Sequence, residues 1–373
     1  MKKLKLMTIL GTRPEIIRLS EIIKLCDVNF EHILTHTGQN YDYTLNKIFF
    51  EELKLREPNH YLNVAGNHLG ETLGNIINRS YELLKEIMPD ALLVLGDTNS
   101  ALSVIPAKRL KIPIFHMEAG NRCFDENLPE EVNRRIVDHT SDINLCYSEH
   151  ARRNLLSEGK RPEYTFLTGS PMTEVLTVNQ NLIENNKILD ELNLIPKGFI
   201  LLSAHREENI DIENNFFSLM GAVNQLAENY NIPVIYSTHP RSANFIEKRN
   251  FKFHPNVKNL KPFGFHAYCK LQKNAFCVVS DSGTLPEETN FFAFPAVCIR
   301  TSTERPEAMD KGRFILGGIT SESLLQSVEM AVKPKNHSPV TDYTDTNVSA
   351  KVTGIIQSYT NIVNQRVWRK SLG

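Results

Sequence analysis

Four clusters of polar residues each close a short apolar run, and three of them are suited to binding an anion. Gly11-Thr12-Arg13-Pro14-Glu15 follows Leu4–Leu10. Gly11 permits a tight turn, a helix opened by Pro14 offers free N–H groups, and Arg13 can clamp a phosphate. A surface salt bridge is the other reading of Arg13. Asp281-Ser282-Gly283-Thr284 follows Phe276–Ser280, and Ser282 with Gly283 at a helix start forms an anion site of the same type. Glu288, just over a turn on, is placed to accept from a ribose diol, although a capping box with surface glutamates also fits the spacing. His205 closes Phe199–Ala204 and can stabilise a phosphate or a leaving oxygen, or simply pack and hydrogen-bond. His239 is placed alike. The fourth cluster is acidic: Asp97 after Ala91–Leu95, Glu118 after Ile112–Met117, and Glu130-Glu131 after Pro129. Glu130 and Glu131 stand four residues before Arg134 and Arg135, the spacing of surface ion pairs. Neither an HExxH nor a DxDxDG spacing occurs, so no metal is expected.

These clusters are carried by an alternation of strands and helices. Besides the runs above, His32–Thr37, Ile143–Tyr147 and Pro233–Ser237 read as strands. Glu15–Leu25, Leu69–Ile87, Glu130–Asp138 and Val348–Val367 read as helices, as does the stretch after Asn99 through Lys108. Such an order predicts an α/β protein with two doubly wound, Rossmann-like parallel sheets whose strand ends face a shared cleft. A polar stretch from Thr168 to about Pro196 is the expected hinge. No GxGxxG follows the first strand, so a dinucleotide cofactor is not expected.

Composition fits this picture. A chain of 373 residues suggests two domains. Lys+Arg of 42 against Asp+Glu of 43 leaves a formal charge of −1, which gives no broad pull towards nucleic acid or a membrane surface. The six cysteines lie far apart with no CxxC pair, which disfavours both a cysteine zinc site and a secreted disulfide framework. No apolar run approaches the roughly 18 residues needed to span a bilayer. A cytoplasmic protein is expected.

Nine motifs in order carry a resemblance. Gly11-Thr-Arg-Pro-Glu15, Thr37-Gly-Gln39, Gly96-Asp-Thr98, His116-Met-Glu-Ala-Gly120, Pro129-Glu-Glu131 with Asn133-Arg134, Thr168-Gly169, His205-Arg-Glu207, Asp281-Ser-Gly283 with Glu287-Glu288, and Thr303-Glu-Arg-Pro-Glu307 span nearly the whole chain. Together they resemble the non-hydrolysing UDP-N-acetylglucosamine 2-epimerase family. The resemblance implies the two-domain GT-B fold, with expected domains at 1–170 and 171–350 and a helix at 351–373 returning to the first. It implies C2 inversion of a UDP-2-acetamido sugar by elimination and re-addition of UDP through a 2-acetamidoglycal. Asp97, Glu118 and Glu130 match the acid/base positions, with His205 among the catalytic residues. Arg13, Ser282, Gly283 and Glu288 match the UDP-binding positions, and a homodimer without cofactor or metal is implied.

Ala119-Gly-Asn-Arg-Cys-Phe-Asp125, Ile136-Val-Asp-His139 and Leu260-Lys-Pro-Phe-Gly264 are nearer to the capsule and O-antigen branch. That branch converts UDP-2-acetamido-2,6-dideoxy-L-talose to UDP-N-acetyl-L-fucosamine. UDP-N-acetylglucosamine and a UDP-2,3-diacetamido uronic acid are the alternative substrates. A GT-B UDP-dependent glycosyltransferase, a hydrolysing epimerase and a non-catalytic UDP-sugar binder are the rival functions.

Overall fold

Residues 3–38, 47–334 and 338–370 are described by the computed structural model. Among these residues, thirteen strands form two sheets. The first contains β1 (Lys5–Leu10), β2 (Glu31–His36), β3 (His60–Tyr61), β4 (Ala91–Leu95), β5 (Ile114–Met117), β6 (Ile143–Cys146) and β7 (Thr165–Leu167). The second contains β8 (Ile200–Ser203), β9 (Val234–Ser237), β10 (Val257–Leu260), β11 (Cys277–Ser280), β12 (Ala296–Cys298) and β13 (Ile315–Leu316). Every adjacent pair is parallel. The spatial orders are β3-β2-β1-β4-β5-β6-β7 and β10-β9-β8-β11-β12-β13. Each is a doubly wound sheet, which gives the expected GT-B type of α/β fold.

The sequences of β1 and β4 are apolar without alternation because helices cover both faces of a parallel sheet. Leu6, Met7, Ile9 and Leu10, and likewise Leu92, Leu93 and Val94, are fully buried. Paired structure begins after Pro113 and after Pro233, later than the apolar runs at Ile112 and Pro233 suggested, since proline has no N–H to donate to a ladder. The strands missed by periodicity are all short: β3, β7, β10, β12 and β13 have two to four residues each. After β4 the chain makes a 3-10 turn over Asn99–Ser103 before an α-helix over Val104–Arg109, instead of one continuous helix.

Two compact units divide the chain, Met1–Thr177 with Thr341–Gly373, and Val178–Val340. The divide falls inside the helix Met172–Glu184, where a polar hinge was expected. Met172, Val175, Leu176, Asn179 and Ile183 are its buried positions. Their spacing is that of one helical stripe; of the polar residues that suggested a loop, Gln180, Asn181 and Glu184 lie within this helix, and Asn185, Asn186 and Lys187 follow it. The last helix, Val348–Arg366, belongs to the first unit and packs on Arg13–Asn29. Among the described residues no helix is long and apolar enough to cross a membrane.

Candidate active site

In a doubly wound sheet the ligand crevice lies at the carboxyl ends of the strands, where the strand order reverses. In the first unit that point is between β1 and β4; in the second it is between β8 and β11. Gly11-Thr12-Arg13 leaves β1 and Gly96-Asp97 leaves β4. At the matching point of the second unit, Ala204-His205 leaves β8 and Asp281-Ser282 leaves β11.

In the first unit Glu118 and Asp97 are each held by an arginine. Leu95 on β4 pairs with Met117 on β5, so the turns after these strands lie side by side, and Gly96 N–H donates to the Met117 carbonyl at 2.9 Å. Glu118 is buried and takes a left-handed backbone, φ 63°. Its Oε2 accepts from Arg18 Nη1 at 2.6 Å, and Asn121 Nδ2 stands 3.4 Å from its Oε1. Asp97 accepts from Arg134 Nε at 3.1 Å, and Asn133 Nδ2 donates to its backbone carbonyl at 3.0 Å. Glu130 starts the same helix, Pro129–Thr140. Positions three and four residues apart share a helix face, so Glu130 is presented on the face that binds Asp97.

Of the surface pairs suggested by spacing, Glu131 with Arg135 forms, but on a buried carboxylate. Arg134 divides its guanidinium between Asp97 and Glu131, while Arg135 reaches Glu126 and Glu131. Glu131 is buried and accepts the N–H groups of Cys123 and Phe124 at 3.2 and 3.3 Å. Burial pushes its carboxyl up, but the Cys123 N–H and Arg134 reverse this and hold it below the usual range.

Arg13 is the first residue of the helix Arg13–Asn29, with Thr12 at its N-cap, and its guanidinium lies 5.8 Å from the Phe49 ring centroid. Glu15 turns inward. It accepts from Gly11 N at 3.1 Å, Thr12 Oγ1 at 2.8 Å and Ser100 Oγ at 2.6 Å, tying the β1 turn to the β4 turn. Gln39 lies outside the described residues.

In the second unit His205 Nδ1 stands 3.0 Å from Asp281 Oδ1, and the His205 and His239 rings are tilted together at 5.6 Å. Asp281 is fully buried. It accepts the N–H groups of His205 and Arg206 at 2.9 and 3.0 Å and Asn209 Nδ2 at 3.2 Å. Burial alone would raise its carboxyl, yet His205 and these N–H groups hold it far below the usual range. With Nδ1 turned to Asp281, Nε2 of His205 is the nitrogen left for a ligand.

Ser282 Oγ bonds Thr284 Oγ1 at 2.9 Å. A Cβ on Gly283 would lie 3.2 Å from Glu304 Oε1, which is a close approach. The capping box is not what forms: Thr284 makes no side-chain cap, and its hydroxyl donates to Glu288 Oε1 at 3.0 Å while Gln272 Nε2 donates to Oε2 at 2.5 Å. Glu288 is thus buried with both carboxylate oxygens engaged inside the unit.

Arg18 was missed because it reads as one more helix charge. Its signal is position, since Glu15, Arg18, Leu19, Ile22, Ile23 and Cys26 make one buried stripe and two charges on such a stripe must have partners.

A family model described as UDP-N-acetylglucosamine 2-epimerase matches residues 25–357. The chain is similar to a solved UDP-N-acetylglucosamine 2-epimerase from Rickettsia bellii, with 45% identity, TM-score 0.92, and 99% of this chain and 100% of that one covered. It is also similar to the Methanocaldococcus jannaschii UDP-GlcNAc 2-epimerase in complex with UDP-GlcNAc and UDP, with 33% identity, TM-score 0.90 and 95% and 99% covered. The UDP-2,3-diacetamido-2,3-dideoxy-D-glucuronate 2-epimerase of Pseudomonas aeruginosa is 32% identical over 88% of this chain and 92% of its own.

Proposed function

This chain belongs to the UDP-N-acetylglucosamine 2-epimerase family, and from that premise we propose how its residues invert C2 and on which sugar. It is an isomerase, a non-hydrolysing UDP-sugar 2-epimerase. The C2 proton of a sugar nucleotide is not beside a carbonyl. Departure of UDP from C1 builds positive charge there and acidifies C2–H, so elimination gives a 2-acetamidoglycal. Re-addition of UDP with protonation on the other face completes the inversion. The observation that carries this assignment is the pair Asp97 and Glu118, on adjoining strand ends and each held by its own arginine. With Glu130 they supply the carboxyl groups that proton removal and return require. Arg13, His205, Ser282 and Gly283 stabilise the leaving diphosphate, and Glu288 contributes to the nucleotide site from its buried position. Asp97→Asn and Glu130→Gln should lose turnover while keeping UDP affinity.

The substrate we favour is UDP-2-acetamido-2,6-dideoxy-L-talose, giving UDP-N-acetyl-L-fucosamine for capsule or O-antigen synthesis. Support comes from the segment Ala119–Asp125 and the further motifs nearer to that branch. An NMR assay with this sugar nucleotide, UDP-N-acetylglucosamine and the UDP-diacetamido uronic acid, run in deuterium oxide, tests it. C2 labelling only on the second or third compound would move the assignment to that substrate. No labelling on any would favour the glycosyltransferase, which transfers its sugar without exchanging C2–H. The protein acts as a cytoplasmic homodimer in this reading, which light scattering of the purified protein checks; its six cysteines are free thiols, as a reducing compartment allows.

A further inference from the structure

The turns that carry Asp97 and Glu118 share one buried anchor. Asp138, on the helix Pro129–Thr140, is wholly closed to solvent. Its two oxygens accept the Gly120 N–H at 3.1 and 3.2 Å, and Oδ2 accepts Arg122 Nη1 at 2.7 Å. His116 Nδ1 stands 2.9 Å from Oδ1, off the line of an ideal hydrogen bond. On the far side of the ring, Nε2 lies 2.9 Å from the Gly96 carbonyl oxygen. Both ring nitrogens therefore face oxygen atoms. Arg122 completes the arrangement by donating through Nε and Nη2 to Glu158, at 2.8 and 2.6 Å. His116, Asp138, Arg122 and Glu158 form one connected quartet.

This quartet constrains the reacting carboxylates without touching them. Glu118 holds a left-handed backbone, which a residue with a side chain keeps only when its surroundings impose it. Two residues on, Gly120 has φ 84°, and a Cβ there would lie 2.2 Å from the Ala151 carbonyl oxygen. Asp138 fixes that glycine and the following Arg122. His116, one strand residue before Met117, spans from Asp138 to the residue preceding Asp97.

We propose that Asp138 is a positioning residue for C2 epimerisation, setting the Glu118 turn through Gly120 and Arg122 and the Asp97 turn through His116 and Gly96. The proposal rests on the reading of Asp97 and Glu118 as the proton-transfer groups. A proton that leaves one face and returns to the other needs both carboxylates in register with one ring, and a misplacement of about 1 Å can reduce turnover about 100-fold.

The test is Asp138→Asn in the full chain, which preserves volume and removes the charge. The expected result is a kcat lower by about 100-fold with KM within about threefold, the pattern of an interaction lost only in the transition state. The melt should stay cooperative and UDP affinity, measured by calorimetry, unchanged. Among remaining turnovers, the share that releases free UDP without epimerised product should rise. A kcat within about threefold of wild type overturns the proposal, as does an activity loss that merely follows the folded fraction. If Asp138→Asn does not fold, His116→Gln is judged by the same criteria, and failure of both to fold makes the quartet structural and the proposal wrong. Wild-type labelling at C2 in deuterium oxide separates the two levels: without it the proton-transfer reading fails first, and with it only the role of Asp138 is at stake.

Discussion

Arg18 Nη1 donates to Glu118 Oε2 at 2.6 Å, and the two side chains are only 7% and 8% exposed. The pair joins the first helix of the fold to the turn after β5 across 100 residues of sequence. Removing one partner of a buried pair leaves the other charge uncompensated, at a typical penalty of about 3–5 kcal/mol. Arg18→Met should therefore lower unfolding free energy by about that amount in urea titrations and reduce kcat by about 100-fold, because Glu118 loses the group that aims it. Arg18→Lys, which keeps the charge but loses the planar fork, should recover part of both. A stable and active Arg18→Met protein would show that the pair neither holds nor aims Glu118.

Gly96 separates backbone strain from site geometry. It has φ 71°, and a Cβ on it would lie 3.3 Å from Glu118 Oε2. Gly159 has φ 86° with nothing within 4 Å of its Cβ position. Both alanine variants pay for a left-handed backbone, about 1–2 kcal/mol each. Only Gly96→Ala also presses on the carboxylate. Steady-state kinetics should show kcat reduced at least about tenfold in Gly96→Ala and unaltered in Gly159→Ala. Equal kinetics in the two variants would mean that Glu118 tolerates displacement.

The sequence reveals the strand ends more readily than the partnerships at them. Ala91–Leu95 and Leu69–Ile87 are found at their predicted limits, because long or fully apolar segments carry a strong periodic signal. Edge strand β10, Val-Lys-Asn-Leu, carries almost none, since two of its four residues are exposed. Asp97, Glu118, His205 and Asp281 are legible because polar residues closing apolar strands demand a reason. Which arginine serves which carboxylate is not legible: Arg134 stands in the spacing of a surface pair with Glu130, yet its Nε bonds Asp97, 37 residues away. Such pairings depend on the strand order, which local pattern does not encode. The polar stretch near Asn179 misleads for a related reason, as Asn179 is buried against His266 at 2.9 Å.

His205 and Asp281 give a prediction for the second unit. Asp281 accepts from two backbone N–H groups and Asn209 and stands opposite His205, so it fixes both the loop and the ring. Its low-lying pKa means that this contribution is present near neutral pH and fades as the carboxyl protonates in acid. Asp281→Asn should weaken UDP binding by roughly ten- to a hundredfold, the equivalent of one charged hydrogen bond at about 1.5–3 kcal/mol. Calorimetric titration with UDP measures it. The proton-transfer groups of the first unit are untouched, so C2 labelling at saturating substrate should persist. Unchanged UDP affinity would remove His205 and its anchor from the nucleotide site.

Glu15 yields a pH dependence of opposite sign. The carboxyl is fully buried, and burial raises it from 4.5 to about 7 despite hydrogen bonds from Ser100, Thr12 and Gly11. Between those limits the folded protein holds a proton that the unfolded chain has released, so stability declines as pH rises. The stabilisation is complete below about pH 4.5 and is lost as pH passes through about 7. A shift of this size corresponds to roughly 3 kcal/mol. Asp281 and Asp138 act the other way, but only where pH falls towards and below their usual range. Urea unfolding of wild type and Glu15→Gln from pH 5 to pH 8 isolates the effect. The variant cannot ionise at this position, so its stability relative to wild type should improve steadily up to about pH 7 and then level off. Parallel curves would mean that Glu15 is already ionised in the folded protein at pH 5, and that its hydrogen-bond donors outweigh its burial.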